Sequence, residues 1–198
     1  MRVSKEQAAE NRRRVVEVAS ALFRERGFNG IGVADLMKEA GLTHGGFYGQ
    51  FASKEDLAAE ACAHAMEVAA ERWRVSAETK GDEALAALLD SYLSPRHRDH
   101  SAAGCPMAAL GIDVARQGGM ARSAFTRGLR PFVDGLSRLI PGRSAEAKRK
   151  AALTTLSEMV GALILARAVD DPALSEEILE AARTSLGRPP GKPEAGNT

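Results

Sequence analysis

Apolar residues recur at steps of three and four along most of the chain, which is the spacing of one face of an α-helix. The first set is Val15, Ala19, Leu22 and Phe23, and further sets follow at 57–69, 85–93, 125–136, 153–164 and 178–186. Runs of strand length in which apolar and polar residues alternate are absent from the sequence. The pattern therefore predicts an all-α fold of about nine helices.

Capping residues, glycines and prolines divide this helical pattern. A long first helix begins near Ser4 and ends at Gly27, and Ser53 begins a second long helix. Pro131 lies inside a helical pattern and is expected to kink or split that helix. The signals predict a three-helix domain, a larger helical bundle and a flexible tail, at residues 1–55, 56–187 and 188–198.

The stretch around Gly41 has the layout of a helix-turn-helix. Residues 33–40 make two helical turns, Gly41 suits the left-handed position that closes a helix, and Thr43 is a good N-cap for a second short helix. The pattern Ser53-Lys54-Glu55-Asp56 is a capping box, so a third helix starts there with exposed amides and a lysine that suit a phosphate. An ordinary helical corner is the alternative explanation of these residues.

A resemblance to the TetR/AcrR family of bacterial transcription regulators is carried by the segment Ala40-Gly-Leu-Thr-His-Gly-Gly-Phe-Tyr-Gly-Gln-Phe-Ala-Ser-Lys-Glu-Asp-Leu57. Upstream, the spacing of Ala21-Leu22-Phe23, Gly27-Phe28, Val33 and Leu36 is similar to that of the family's first two helices. The resemblance covers residues 10–60 and implies a recognition helix that enters the DNA groove. The groove-facing residues it implies are Thr43, His44, Gly45, Gly46 and Phe47, and the phosphate-contacting residues are Tyr48 and Lys54.

Two positions depart from the family's pattern. Gly32 stands where Ser or Thr commonly caps the second helix, and Gly49-Gln50 replaces larger or basic residues before Phe51. The recognition helix is therefore rich in glycine, and we expect it to be fully ordered only on DNA. His44 either donates to a base edge or is a solvent-exposed polar residue without that role.

The overall charge offers no argument for any partner, because 27 Lys and Arg residues balance 26 Asp and Glu residues to a net charge of +1. A surface that binds nucleic acid must therefore be local. The run Arg12-Arg13-Arg14 could reach the DNA backbone, but Glu10 and Glu17 dilute its charge. We interpret the run as the solvated face of an amphipathic helix.

The resemblance implies that the larger bundle binds an effector and forms a homodimer. Dimer helices are expected at 145–186, where Gly161, Ala162 and Ala166 permit close helix approach, although the same stripe would also fill the core of a monomer. A pocket for an unknown small-molecule effector is expected among the helices at 80–140. Its candidate lining residues, each of which also suits an ordinary core, are Leu89, Leu93, Met107, Leu110, Phe125 and Phe132.

Cys105 is the candidate for redox or electrophile sensing. It stands between Gly104 and Pro106 at an expected helix N-cap, where the helix dipole and the basic residues at 96–98 would stabilise a thiolate. At this place the sequence also resembles electrophile-responsive members of the family, in which a Gly-Cys pair opens a helix in the middle of the bundle. The alternative is a small buried side chain, which is the role expected of Cys62.

Other classes of site find little support. No secretory signal follows Met1, and the longest apolar run, at 159–166, is far short of the ~20 residues of a membrane span. Two cysteines cannot make a disulfide framework, which favours a reducing cytoplasm. His97 and His100 have no third metal ligand at a supporting spacing, and no cofactor-binding motif is found.

The sequence thus predicts a cytoplasmic, non-enzymatic homodimer that binds double-stranded operator DNA. Its simplest role is a repressor released from a palindromic operator by a small-molecule ligand or by an electrophile at Cys105. A transcriptional activator of the same fold is an alternative. Two further alternatives lack DNA binding: a protein-interaction bundle, and an enzyme with Cys105 as nucleophile and His97 or His100 as base.

Overall fold

The computed structural model describes residues 4–187, and within them it contains nine α-helices, three short 3-10 helices and no β-strand. The predicted all-α fold is confirmed. The α-helices are α1 (Lys5–Arg26), α2 (Val33–Glu39), α3 (Lys54–Lys80), α4 (Ala84–Tyr92), α5 (Pro95–Asp99), α6 (Pro106–Gln117), α7 (Gly119–Leu139), α8 (Ala145–Ala168) and α9 (Pro172–Gly187). The 3-10 helices lie at His44–Gly46, Gly81–Glu83 and Ser101–Ala103. The predicted tail at 188–198 lies outside the described residues.

Helix ends fall where the capping residues predict them. The Ser4 hydroxyl accepts a hydrogen bond from the Gln7 N–H at 3.1 Å at the start of α1, and Gly27, with φ of 74°, ends that helix. Pro131 does not split α7, which continues unbroken from Gly119 to Leu139. Pro131 is exposed, so water can bond the carbonyl that its missing N–H leaves without a partner.

The chain forms two compact units, which within the described residues comprise 4–74 with 100–132 and 75–99 with 133–187. The predicted domain boundary after residue 55 falls inside α3 and stays a prediction. In the first unit α1 packs against α2 and α6. Its core includes Phe23 and Phe28, whose rings meet edge to face with centroids 5.3 Å apart.

In the second unit α8 packs against α9 and α5. Leu156, Met159 and Leu163 of α8 are buried. Arg167 of α8 donates hydrogen bonds to the carbonyl oxygens of His97 and Arg98, at 2.7 and 2.9 Å, and so holds the carboxyl end of α5.

By length and composition α8 is also the one helix within residues 4–187 that would suffice to cross a membrane. Core helices of soluble proteins meet the same criterion. The sequence expectation counted only the uninterrupted apolar run at 159–166 and therefore did not single out the whole helix.

Candidate nucleic-acid interface

The turn after α2 is built around Gly41, which has a φ of 70°. The Gly41 N–H donates to the carbonyl of Lys38 at 2.9 Å, and the Leu42 N–H donates to the carbonyl of Met37 at 2.8 Å. These two bonds form a Schellman motif, in which glycine adopts the left-handed conformation at little cost. The predicted helix-closing role of Gly41 is confirmed, and the motif turns the chain sharply into the next segment.

Residues 43–51, which we call the reading segment, form a 3-10 turn and a second turn rather than an α-helix. The Gly46 N–H donates to the carbonyl of Thr43 at 3.0 Å, and the Phe47 N–H donates to the carbonyl of His44 at 3.1 Å. Thr43 occupies the N-cap position, but its side chain makes no capping hydrogen bond. The predicted second short helix is thus present as a 3-10 helix, and the low helix propensity of the glycines at 45, 46 and 49 explains why it does not continue as an α-helix.

The outer surface of the reading segment carries most of the residues named from the sequence. Thr43, His44 and Gly45 are exposed, Gly46 is half-buried, and Tyr48 is 68% exposed. The rings of His44 and Tyr48 lie together, with centroids 5.8 Å apart. The surface offers an imidazole, a phenol and backbone that no large side chain covers.

Phe47 does not belong to this outer surface. Its side chain is only 1% exposed, and its ring stacks on Phe51 with centroids 5.4 Å apart. The expectation that Phe47 faces the groove is therefore corrected: the ring packs inward and supports the segment from beneath. The apolar pair at positions 47 and 51, four residues apart, was the sequence signal for this role.

The third helix starts as the capping pattern predicts. The Ser53 hydroxyl accepts from the Asp56 N–H at 3.1 Å, and the Asp56 carboxylate accepts from the Ala52 N–H at 3.2 Å. The pKa of Glu55 is lowered by a hydrogen bond from its own backbone N–H and by the Ser53 hydroxyl. The amide donors at this end therefore favour negative charge, and Lys54 is the first residue of the helix.

Arg12 of α1 reaches the reading segment from behind. Its guanidinium donates to the carbonyl of Gln50 and to the Glu60 carboxylate, and it lies over the Phe51 ring at 4.3 Å from the centroid. The interpretation of Arg12 as part of a solvated face is therefore wrong. The solvated-face interpretation is correct for Arg13, which is exposed and pairs with acidic residues of its own helix.

Cys105 occupies the predicted N-cap of α6 and is 6% exposed. Two arginines distant in sequence hold the loop before it: Arg24 donates to the carbonyl of Gly104 at 3.0 Å, and Arg72 donates to the carbonyl of Ala103 at 3.2 Å. Burial and then the charge of Arg72 lower the pKa of Arg24 to about 10, while Cys105 acts in the opposite direction. The sequence expectation named the basic residues at 96–98 and missed these two.

The candidate effector-pocket residues are divided between the two units. Leu89 and Leu93 belong to the second unit, while the residues of the first unit are Met107, Leu110, Phe125 and Phe132. All six are buried except Phe125, which is half-buried. A shared pocket stays a prediction. For the metal alternative, residues 4–187 bring no three His, Cys, Asp or Glu side chains together as a cation site.

The predicted dimer helices leave apolar side chains on their surface. Leu153 and Leu165 of α8 are 44% and 57% exposed, and at Gly161 no atom outside its own stretch of helix lies within 4 Å of where a Cβ would be. Ala162 and Ala166 are instead 8% and 2% exposed and already pack within the chain. Of the three small residues named from the sequence, only Gly161 remains open to close approach by another helix.

Residues 15–61 match the family described as bacterial regulatory proteins, tetR family. An HTH-type transcriptional regulator of Mycobacterium tuberculosis is 32% identical over 104 residues, which make up 52% of this chain and 53% of that protein. The HTH-type transcriptional regulator AcrR of Shigella flexneri is 36% identical over 59 residues, or 30% of this chain and 27% of that protein. The chain thus spans about half the length, or less, of these curated relatives.

Solved structures extend the similarity over the whole fold. A TetR transcriptional regulator from Chloroflexus aurantiacus is 28% identical, with a TM-score of 0.72, and the match covers 91% of this chain and 94% of that one. The reduced form of E. coli NemR is 21% identical, with a TM-score of 0.76, and the match covers 92% and 100%. Both structures share the helical architecture of this chain.

Proposed function

Since this chain belongs to the TetR family of bacterial regulatory proteins, we propose that it binds operator DNA as a transcriptional repressor. The observation that carries the proposal is the exposed pair His44 and Tyr48, which stands just before the capped amino terminus of α3. A reading surface and an anion-binding helix end thus lie on the same short stretch of chain. An activator of the same fold would use the same surface, and a reporter gene under the operator distinguishes the two roles.

In this proposal the contacts divide into two classes. Lys54, at the positive amino-terminal end of α3, and the Tyr48 hydroxyl bind phosphates, which sets the position of the protein on the duplex. Thr43 and His44 then reach base edges in the major groove, and the glycines at 45 and 46 let the backbone come close. His44 carries the sequence preference and Lys54 carries affinity that is independent of sequence.

The proposed repressor acts as a homodimer on a palindromic operator. One short reading segment contacts few base pairs, so two copies on half-sites about one helical turn apart are needed for useful specificity. The exposed Leu153 and Leu165 and the open Gly161 of α8 support a dimer through this helix. Pairing of two copies through α8 would cover these exposed leucines.

Release from DNA requires a ligand or a modification that favours a conformation with lower affinity for the operator. We assign this role to a small-molecule effector or to an electrophile that alkylates Cys105. Support for the thiol comes from its N-cap position and from the two guanidiniums that hold the adjoining loop. Burial raises the pKa of the other thiol, Cys62, to about 11, which makes that thiol a poor nucleophile at neutral pH.

A duplex-binding assay over a range of salt concentrations tests the DNA-binding proposal. The chain is expected to form a sequence-specific complex whose affinity falls steeply with salt. Lys54→Ala should weaken binding to all duplexes alike and reduce the salt slope by about 0.9, as expected for one lost phosphate contact. Lys80→Ala is the matched control, because Lys80 ends the same helix about 39 Å away. Absence of a specific complex with genomic operator fragments would overturn the proposal.

The base-reading and thiol roles have separate tests. His44→Ala should change the preference among operator variants, and an unchanged preference would remove its base-reading role. For the thiol, the complex is treated with an alkylating agent and compared with that of Cys105→Ser. Release of the parent alone supports the thiol role, whereas equal release of both proteins would exclude it.

A further inference from the structure

The reading segment has little stability of its own. Three of its residues, Gly45, Gly46 and Gly49, are glycines, which lose the most conformational freedom when they become ordered. Its one internal side-chain hydrogen bond runs from the Gln50 amide to the carbonyl of Gly46, at 3.2 Å. Contacts with other parts of the protein must therefore supply most of the order of this segment.

A row of side chains connects the outer surface of the reading segment to α1. The guanidinium of Arg12 lies over Phe51, and Phe51 stacks on Phe47. The Phe47 ring meets Tyr48 edge to face with centroids 5.3 Å apart, and Tyr48 in turn contacts His44. The proposed DNA contacts therefore rest on a stack of rings that ends at Arg12.

Arg12 also fixes the backbone and a second helix. It donates to the carbonyl of Gln50, which lies between Phe47 and the start of α3, and to the Glu60 carboxylate on α3. Both members of this ion pair are only about one-third exposed, at 36% and 37%. A planar guanidinium has enough donors to make both hydrogen bonds while its face covers a ring, which an ammonium group cannot do.

We propose that Arg12 is a positioning residue for DNA recognition: it orders residues 47–51 from behind, without contacting DNA, and Glu60 holds its guanidinium in place. This inference rests on the DNA-binding function proposed above. It differs from a phosphate-contacting role, because the donors of Arg12 are directed to Gln50 and Glu60.

Glu60→Gln gives the sharpest test, because two explanations predict opposite changes in the affinity for operator DNA. Removing a negative charge from a DNA-binding surface should on electrostatic grounds strengthen binding to a polyanion. If Glu60 instead holds Arg12 in position, Glu60→Gln should weaken operator binding about threefold to tenfold, the range expected for the net contribution of one typical hydrogen bond. Equal or tighter binding by Glu60→Gln would overturn the inference.

Substitutions at Arg12 provide a second test of the inference. Arg12→Ala and Arg12→Lys should both weaken operator binding more than tenfold, while the matched control Arg13→Ala changes it less than twofold. The salt slope of Arg12→Lys should equal that of the parent, since no phosphate contact is lost. Restoration of parental affinity by Arg12→Lys would overturn the inference, because charge alone would then explain the role of Arg12.

Hydrogen exchange in the free protein tests the positioning role without DNA. The amides of Gln50 and Phe51 donate to the carbonyl of Phe47, and they should exchange at least tenfold faster in Arg12→Ala than in the parent or in Arg13→Ala. Amides of α8 serve as the internal control for global unfolding. If the parent binds no operator, the proposed function fails; if the parent binds but these amides are unaffected, only the positioning inference fails.

Discussion

Gly128, midway along α7, marks a place where two helices approach too closely for any side chain. A Cβ added there would lie 2.5 Å from Met66 Cβ and 2.8 Å from Met66 Cγ on α3. Carbon atoms in ordinary contact are about 3.5–4.0 Å apart, so Gly128→Ala requires a shift of about 1.0–1.5 Å. Because the closest atom is Cβ, which is bonded to the backbone, no rotamer of Met66 relieves the overlap.

The magnitude follows from two opposing terms. Alanine is favoured over glycine in a helix by about 0.5–1 kcal/mol. Overpacking of a well-packed interior costs about 1–3 kcal/mol, and Met66 is fully buried. Gly135 on the same helix supplies the control, because no atom outside its own stretch of helix lies within 4 Å of where its Cβ would be. Gly135→Ala should therefore be neutral or stabilising, and about 2 kcal/mol more stable than Gly128→Ala.

Urea denaturation followed by circular dichroism measures both variants against the parent. Gly128→Ala should unfold at lower urea concentration than the parent, with the slope of the transition unchanged. Equal stability of Gly128→Ala and Gly135→Ala would show that α3 and α7 are not too close at Gly128 for a side chain.

Three further predictions concern single groups. Burial raises the pKa of Cys62 to about 11 from an ordinary 9.0, so the thiol stays protonated in the folded state while it ionises in the unfolded state. The free energy of unfolding should therefore fall by about 2 kcal/mol as pH rises from 9 to 11. Cys62→Ala should lose this part of the pH dependence, and an identical profile would contradict it. Asp113→Ala removes the acceptor of the Phe28 N–H, bonded at 2.9 Å, and should cost about 1–3 kcal/mol in urea denaturation; no measurable cost would show that the bond contributes nothing. Ser53→Ala removes the N-cap of α3 and should lower Tm by about 2–6 °C in a thermal melt, whereas an unchanged Tm would argue against the cap.

Local sequence signals were sufficient to predict the helix boundaries. They were not sufficient to predict that Arg12 packs behind the reading segment. Ser4 and Ser53 bond amides three residues further on, and Gly41 closes a turn within its own neighbourhood, so a short window of sequence contains both partners. The partners of Arg12 lie 38 and 48 residues away, and Gly104, which Arg24 contacts in addition to Ser20, lies 80 residues away. No periodicity or capping rule links such pairs, because only the packed fold brings them together.

The reading segment itself was predictable in position but not in form. The Gly41 turn and the Ser53 cap located it between two helices, whereas the helix type, a 3-10 helix at His44–Gly46, was not specified by the capping and turn signals. The inward direction of Phe47 follows from its pairing with Phe51 and was available from the sequence.

Helix α1 carries Arg12 beneath the reading segment and Arg24 at the carbonyl of Gly104, next to Cys105. Arg12 and Arg24 are twelve residues apart, so about 18 Å of α-helix separates them. A tilt of α1 by about 5° about Arg24 would displace Arg12 by about 1.6 Å, which is more than half the length of a hydrogen bond. A displacement of the Cys105 loop that tilted α1 through Arg24 would therefore also move Arg12 beneath the reading segment.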